Sequence, residues 1–462
     1  MTRKQAEDFV YKSYIKAQKY QSYHSKDSEK RRNDLTFDLI RKKSKIPCAV
    51  VTGSKGKGSV ANMISQILQT KYTVGLMTSP HIVDFCERFR VNGGKISDEE
   101  FVKQIEVIQP EIEAIDTAIP KNVCISPMGI QTCLALNYFQ NMGTQFNVFE
   151  CGKGAKYDDV NNVKHEYAVI NSIFLEHIRE LGETIEEIAE DKAHVITGEQ
   201  KCVYVAEQKP GVLKIIQNRA EELHVSIKVY GQDFWAENVR YTKEGMIFDI
   251  IIGEEVFSDI SIPLLGEHQA KNCALAFALC KDVFENLSQP EERNVFVESN
   301  QPEEKEVIED SAKERMRSFD FIKVKEKLLN INWPGRMEVL GNNPFMLLDA
   351  CIHKASCENV LKVLHYLDIK EVTLVVGIPD DKDYTGVVKA MRDVACDIIL
   401  TKSSNPHYVF TRRQQERLKE EGMDVEWTNS VLEAIHLAKK KEKPIVILGT
   451  TSVVGEVKNE CL

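Results

Sequence analysis

Two lysines and two serines stand among three glycines in the run Gly53-Ser54-Lys55-Gly56-Lys57-Gly58-Ser59. Backbone N–H groups of so glycine-rich a loop can converge on phosphate oxygens, and a lysine there can neutralise charge that builds during phosphoryl transfer. A mere tight turn would explain the glycines but not the lysines and serines around them. The general phosphate-loop pattern asks for a glycine five residues ahead of the Gly-Lys pair and a serine or threonine directly behind it. Val51 and Gly58 stand at those places. The stretch Gly56-Lys57-Gly58-Ser59-Val60-Ala61 also fits a dinucleotide fingerprint. That site wants an acidic residue about twenty positions on, at a strand end, to hold a ribose. The chain has Met77-Thr78-Ser79 there, which favours a mononucleotide.

The elements that would position this loop read as a repeating pattern. Residues 47–52 (PCAVVT) form a short apolar run before the loop, and helical periodicity follows from Gly58 to Thr70. Further apolar runs end at Met77, Glu150 and Asn171, with helical patterns over 127–142 and 184–196 between and beyond them. Strands alternating with helices predict a mainly parallel sheet covered on both faces. Shorter strand patterns between 226 and 263 predict a small antiparallel appendage, followed by a helix over 267–285. MLLDA, EVTLVVG, CDIILT and PIVILG then predict a second, Rossmann-like α/β domain. The expected divisions are a helical segment 1–46, a nucleotide-binding domain 47–300, a linker 301–329 and a C-terminal domain 330–462. The stretch Glu285 to Lys313 is rich in polar residues and proline, and is the natural linker or surface insertion.

At 462 residues with 43% hydrophobic content, the chain holds more apolar material than one ordinary core uses, which suits two or three domains. A formal net charge of -10 argues against a nucleic-acid partner, which would normally meet a basic face. No run is long and apolar enough to span a bilayer and the N-terminus lacks an apolar leader, so the reading is cytoplasmic with no membrane partner. The 12 cysteines form no CxxC pair and read as reduced, mostly buried thiols. Cys351, His353 and Cys357 come nearest to a metal cluster, but their spacing matches no structural zinc pattern.

Val51-Thr-Gly-Ser-Lys-Gly-Lys-Gly-Ser59, followed by Thr78-Ser-Pro-His-Ile-Val83 and Glu87-Arg-Phe-Arg-Val-Asn-Gly93, resembles the folylpolyglutamate synthase family, within the wider murein-peptide (Mur) ligases. The likeness continues through Glu150 to Asp158 with Asn161, Leu175-Glu-His177, Leu181 to Thr184, Glu187 to Lys192, Leu265 to Asn272, Trp333-Pro-Gly-Arg336, Asp381-Lys-Asp383 and Gly449 to Val457. The resemblance implies an amide ligase that uses ATP and Mg²⁺ to activate a folate-like or other carboxylic acid as an acyl phosphate and joins it to an amino acid, glutamate in the family's case. Gly53, Ser54, Lys55, Gly56, Lys57, Gly58 and Ser59 would hold the triphosphate, with Lys57 on its terminal phosphates. Ser79, Glu150 and His177 would bind magnesium, directly or through water. A hydroxyl, a carboxylate and an imidazole at successive strand ends suit the carboxyl edge of a parallel sheet, although magnesium prefers oxygen over imidazole nitrogen. Lys192 falls where the family carries a lysine that can be carbamylated to help hold a second magnesium. The resemblance gives Lys57, Lys192 and His177 the catalytic roles. Asn272 resembles the adenine-contacting asparagine, with His268 and Gln269 nearby, while Arg336 and Asp349 would reach the nucleotide from the second domain.

The chain also departs from this pattern. The family's Gly-Ala-His-Asn-Pro after its aspartate is here Ala350-Cys351-Ile352-His353-Lys354, so the histidine is displaced by one position. Ala155 and Lys156 replace a glycine and an arginine, and Gly129-Ile130 stand near the family's Phe-Glu pair. The first forty residues also look different. These changes touch the substrate side, so a Mur-type ligase acting on a non-folate acid, such as a cell-wall precursor or γ-linked peptide, is the alternative expectation. A nucleotide-binding scaffold without turnover is the rival from another class. Ser404-Asn405-Pro406-His407 bears a faint likeness to a loop with which some murein ligases grip their amino acid.

Overall fold

The computed structural model describes residues 1–20, 32–178, 180–287 and 319–460. Its first sheet contains β1 (Cys48–Thr52), β2 (Val74–Met77), β3 (Phe89–Val91), β4 (Gly94–Lys95), β5 (Phe146–Glu150), β6 (Tyr167–Ile170), β7 (Cys202–Val205) and β8 (Ile227–Val229). Their order is β4-β3-β2-β5-β1-β6-β7-β8, with β2, β5, β1, β6, β7 and β8 mutually parallel and the β3–β4 ribbon added antiparallel to β2 at one edge. β1, β2, β5, β6 and β7 are buried along their whole length, because helices cover both faces and leave no solvent side to alternate toward. β1 lies between β5 and β6, with Val51 beside Glu150 and Thr52 beside Ile170. The chain leaves β1 toward β2 on one side and later returns to its other side, so a crevice opens at the carboxyl ends of these strands.

Helix Lys57–Leu68 follows the glycine loop and packs against helix Glu267–Asn286. Helix Arg3–Gln18 is closed by a Thr2–Gln5 capping box and lies on helices Asp98–Ala118 and Pro127–Asn141. Arg3 fixes it to the β3–β4 region through Asp84 at 2.8 Å and Asp98 at 3.5 Å. The appendage is a three-stranded antiparallel sheet, β9 (Phe234–Thr242), β10 (Gly245–Ile252) and β11 (Glu255–Ile262), in the order β11-β10-β9.

Residues 288–318, which hold most of the expected linker, lie outside the described residues. The end of that stretch forms helix Phe321–Leu329, which buries Val324 and Leu328 against β11 and helix Lys57–Leu68, so this part belongs to the first domain's packing. The C-terminal sheet comprises β12 (Glu338–Asn342), β13 (Phe345–Asp349), β14 (Val372–Gly377), β15 (Ala395–Leu400), β16 (Glu426–Trp427) and β17 (Ile445–Gly449), in the order β12-β13-β17-β14-β15-β16. All pairs are parallel except β12–β13. One apolar core continues from helix Glu267–Asn286 through Ile331 and Met337 to Leu347 and Val360, joining the domains. Ten of the eleven described free cysteines are buried and Cys396 on β15 is exposed. Among the described residues no helix is long and apolar enough to cross a membrane.

Candidate active site

The loop after β1 turns twice through conformations that favour glycine, at Gly53 (φ +137°) and Gly56 (φ +75°). Asn171, directly after β6, fills the space beneath both. A Cβ at Gly53 would meet the Asn171 Cβ at 2.8 Å, and one at Gly56 would meet its Nδ2 at 2.5 Å. Asn171 Nδ2 donates to Asn272 Oδ1 at 2.9 Å, and Asn272 in turn donates to Gln269 Oε1 at 3.1 Å. The loop is thus seated on a chain of side-chain amides that reaches helix Glu267–Asn286. Lys57 folds back to donate to the Gly53 carbonyl at 3.1 Å. Lys55 leaves the loop, is exposed, and hydrogen-bonds Ser356 Oγ in the C-terminal domain.

The carboxyl ends of β2 and β5 meet beside helix Lys57–Leu68. Glu150 is 5% exposed, and its Oε2 accepts the Ser79 N–H at 2.9 Å. Burial raises the Glu150 pKa, opposed by Lys57, the Ser79 N–H, Arg336 and Arg88 in that order. Among the described residues this carboxylate forms no ion pair, so a divalent cation fits there, as the oxygen-rich donor set of Glu150 and Ser79 also suits magnesium. A Cβ at Gly58 would lie 3.3 Å from Glu150 Oε2 and 3.0 Å from the Trp333 ring. Gly58, Ser79, Glu150, Trp333 and Arg336 line one small cavity, together with the Pro80–Ile82 loop. That loop is held by Glu87, which accepts from the N–H groups of Ile82 at 3.0 Å and Asp84 at 3.1 Å. Beneath it, buried Arg88 donates to His81 Nδ1 at 3.0 Å and Gln131 Oε1 at 2.8 Å. Burial, with Arg88 beside it, pushes the His81 pKa down to about 4, so the ring accepts this bond as neutral imidazole.

Lys192 and His177 belong to a neighbouring cluster. Lys192 is fully buried near the C-terminus of helix Ile185–Ala193. Its ammonium donates to the carbonyls of Gly53 at 2.9 Å and Lys153 at 2.7 Å and lies 3.2 Å from Glu176. Burial first, then Lys57, lower its pKa to about 8, against the opposing pull of Glu176 and Asp191. His177 is exposed, has φ +47°, and is not among the residues lining the Glu150 cavity. Its charged neighbours are Glu176, Lys153, Glu180 and Lys192. The Gly53 carbonyl, shared by Lys57 and Lys192, links the two clusters.

The second domain closes the crevice. Asp349, at the end of β13, accepts the Met337 N–H at 2.8 Å, and burial, opposed first by Arg336, raises its pKa to about 6. Arg336 donates to its neighbour's carbonyl at 3.2 Å and otherwise faces the cavity. His268 has a buried Nδ1 without a partner, and burial, with Lys55 and Arg336 nearby, pushes its pKa to about 4. A second cleft of about 360 Å³ lies between the Pro80–Val83 loop and Ser404, Asn405, Tyr408, Ser452 and Glu456. Asn405 Nδ2 donates to Ser452 Oγ at 2.8 Å, and Ser404 is tied to Glu456.

The sequence model of the Mur ligase middle domain matches residues 51–280, and that of the Mur ligase glutamate ligase domain matches 335–451. The chain belongs to the Mur ligase family. Among curated relatives of this Mur ligase, the dihydrofolate synthase/folylpolyglutamate synthase of Bacillus subtilis is 27% identical, with 93% of each chain covered. The folylpolyglutamate synthase of Lacticaseibacillus casei is 24% identical over 89% of each. Among solved structures, Mycobacterium tuberculosis folylpolyglutamate synthase complexed with ADP and AMPPCP superposes with a TM-score of 0.78 at 23% identity, covering 93% of this chain and 95% of that one. The Thermotoga maritima folylpolyglutamate synthase gives 0.76 at 25% identity over 93% of both chains.

In this Mur ligase, residue reasoning from the sequence had no handle on Asn171, the seat of the loop, or on the His81–Arg88–Gln131 network. Their signal was a polar residue directly following a buried strand run, and a lone arginine too far along the chain to be paired by spacing. Gly129 has a physical reason to be glycine. A Cβ there would meet Asp159 Oδ1 at 2.5 Å. The buried Asp159 carboxylate accepts from Thr36 at 2.6 Å and bonds Ser126, so it already fills that space. Ile352 and His353 precede helix Lys354–Tyr366, and the Cys351 and Cys357 thiols lie 3.5 Å apart.

Proposed function

We propose that this chain adds glutamate to the γ-carboxylate of a folyl glutamate through an acyl phosphate, releasing ADP and phosphate. The observation that carries the reading is the convergence of a glycine-rich phosphate loop, the unpaired carboxylate of Glu150 and Arg336 of the second domain on one cavity, with a second cleft adjoining it across the Pro80–Ile82 loop. The relatives bear it out in kind. One neighbour, 21% identical with a TM-score of 0.75 and full coverage of both chains, is an FPGS complex with AMPPCP and folate.

In this reading the N–H groups of residues 53–59 and the Lys57 ammonium hold the triphosphate, while Asn272 and Gln269 face the adenine and Asp349 the ribose side. Lys57 and Arg336 stabilise charge on the transferring phosphoryl group from opposite domains. Glu150 and Ser79 would hold Mg²⁺, which when bound supplies charge neutralisation at the phosphates, while His177 stands in the neighbouring cluster with Glu176 and Lys153. Lys192, with its amine held near neutrality by burial, is suited to attack CO₂: the N–C bond forms, a proton leaves, and a carbamate results. Its oxygens would then face the site in place of an ammonium. The cleft beside Ser404 and Asn405 suits the incoming amino acid, whose amine must reach the acyl phosphate from beside the Pro80–Ile82 loop. A cytoplasmic location accords with this chemistry.

The experiment is ADP and phosphate release by the full chain with ATP and Mg²⁺, across reduced folates and other carboxylic acids, with glutamate present or omitted and the product weighed. Glutamate-dependent release with a folate, and a product heavier by one glutamyl residue, is the expected result. The departures at Ala350 to Lys354 and in the first forty residues favour one second reading, in which the same ligase takes a non-folate acid. Release with such an acid and none with folates would establish that reading instead.

A further inference from the structure

Helix Lys354–Tyr366 of the C-terminal domain is gripped at both ends by the first domain. In its first turn, Ser356 Oγ receives the Lys55 ammonium from the glycine loop. At its last residue, the Tyr366 ring stacks on Tyr241 of β9, centroids 4.5 Å apart and planes 7° from parallel. Ser356 and Tyr366 are ten residues apart on this helix, so the two contacts stand about 15 Å apart along its axis. Neither is forced by burial: Lys55 is exposed, and Tyr366 is 55% exposed. Ile82 also packs on the C-terminal core, and among the described residues the hydrogen bonds from Leu265 N–H to Met337 at 3.3 Å and from Gln269 to the Arg336 carbonyl at 3.5 Å cluster where the chain itself crosses over. They can act as a hinge. The two ends of helix Lys354–Tyr366 are side-chain contacts away from that crossing, and they fix the helix in two places rather than one.

We propose that Lys55 is a positioning residue that works across the domains through Ser356, and that with the Tyr241–Tyr366 stack it sets the closed placement of the C-terminal domain on the loaded loop. The inference rests on the ligase reading above, because closure brings Ser404, Asn405 and Glu456 up to the Pro80–Val83 loop across the second cleft. A lysine in the loop whose amine is turned away from the Gly53 carbonyl that Lys57 and Lys192 share leaves phosphate neutralisation to Lys57. Lys55 also lies over the Phe174 ring at 5.8 Å, which steers its stem toward the other domain. An aromatic stack of this kind contributes on the order of 0.5–1.5 kcal/mol, equivalent to about a two- to tenfold change in a closed-to-open ratio.

The test uses the full chain and three variants, Lys55→Met, Tyr366→Ala and Tyr366→Phe, with AMPPCP affinity, kcat and small-angle X-ray scattering of the AMPPCP complex as readouts. Lys55→Met and Tyr366→Ala are expected each to lower kcat by about two- to tenfold and to enlarge the radius of gyration, while Tyr366→Phe matches the parent in both. Tyr366 lies far from the loop, so a structural defect of the nucleotide site would not explain its effect. The proposal falls if Tyr366→Ala is silent in scattering and kcat, whatever Lys55→Met does. It falls equally if Lys55→Met weakens AMPPCP without changing the radius, which would make Lys55 a nucleotide ligand. A parent protein with no amino-acid-dependent phosphate release would overturn the ligase reading alone, since the scattering comparison stands without turnover.

Discussion

Lys57 and Lys192 donate to the same carbonyl, that of Gly53, yet only Lys192 is fully buried. The difference separates their chemistry. In the proposed reaction Lys57 stands beside the developing phosphate charge, and Lys57→Ala should lower turnover by about 10²–10³-fold, the scale of one well-placed electrostatic contact. Steady-state kinetics check this, and unchanged turnover would reduce the loop to a structural turn. For Lys192 the folded pKa of about 8 lies below the value of 10.5 in an unfolded chain. Burial therefore penalises the folded state fully below pH about 8, and the penalty fades as pH rises from there toward 10.5. Relative to the parent, Lys192→Met should lose ground between pH 7 and pH 10, because the penalty it removes fades over that range, as read from urea midpoints in CO₂-free buffer. An advantage that grew with pH would contradict the burial account. Bicarbonate added at low CO₂ should raise activity, and a short carboxylate should partly rescue Lys192→Ala. Failure of both would leave Lys192 an ordinary buried cation.

At the scale of elements, the glycine loop was legible because it combines residue types that no turn requires, and the strand runs were legible because parallel strands buried on both faces are continuously apolar. The runs ending at Met77 and Glu150 end as strands at those residues, whereas β6 stops at Ile170 and leaves Asn171 free to turn under the loop. What spacing could not show is that this asparagine, more than a hundred residues along, forbids a side chain at Gly53. Gly53→Ala should lose about 2–4 kcal/mol, strain and overpacking together, because the obstructing atoms include Asn171 backbone at 3.0 Å and cannot swing away. Gly143 supplies the comparison: it has φ +65° with nothing within 4 Å of a Cβ, so Gly143→Ala should lose only about 1–2 kcal/mol. Denaturant midpoints decide between them, and equal losses would mean that Asn171 yields. The antiparallel appendage was visible as strand patterns between 226 and 263, although the first of these, Ile227–Val229, is β8 at the edge of the parallel sheet and only β9 to β11 form the appendage, whose contact with helix Lys354–Tyr366 depends on two tyrosines whose partnership no local pattern reveals.

The molecule as a whole joins its two domains through one apolar core at the chain crossing, with the cavity of Gly58, Glu150 and Arg336 between them. Anything that binds this folded arrangement alone stabilises it, so saturating ATP with Mg²⁺ should raise the unfolding free energy by about 3–4 kcal/mol at a hundred to a thousand times the dissociation constant. Calorimetry with and without nucleotide tests this, and chelation of Mg²⁺ should abolish phosphate release. The composition suited two or three domains and the motifs gave their order, but the segment 288–318, which precedes a helix of the first domain's packing, was legible only as polar sequence. The exposed thiol of Cys396 on β15, alone among the described cysteines in facing solvent, gives the protein a natural attachment point. With Cys461 replaced by serine, a maleimide dye would go selectively to the C-terminal domain under native conditions. Paired with a second dye on a cysteine introduced into the appendage, it would turn domain movement into a single-molecule optical signal, read during turnover and without disturbing any residue of the nucleotide loop.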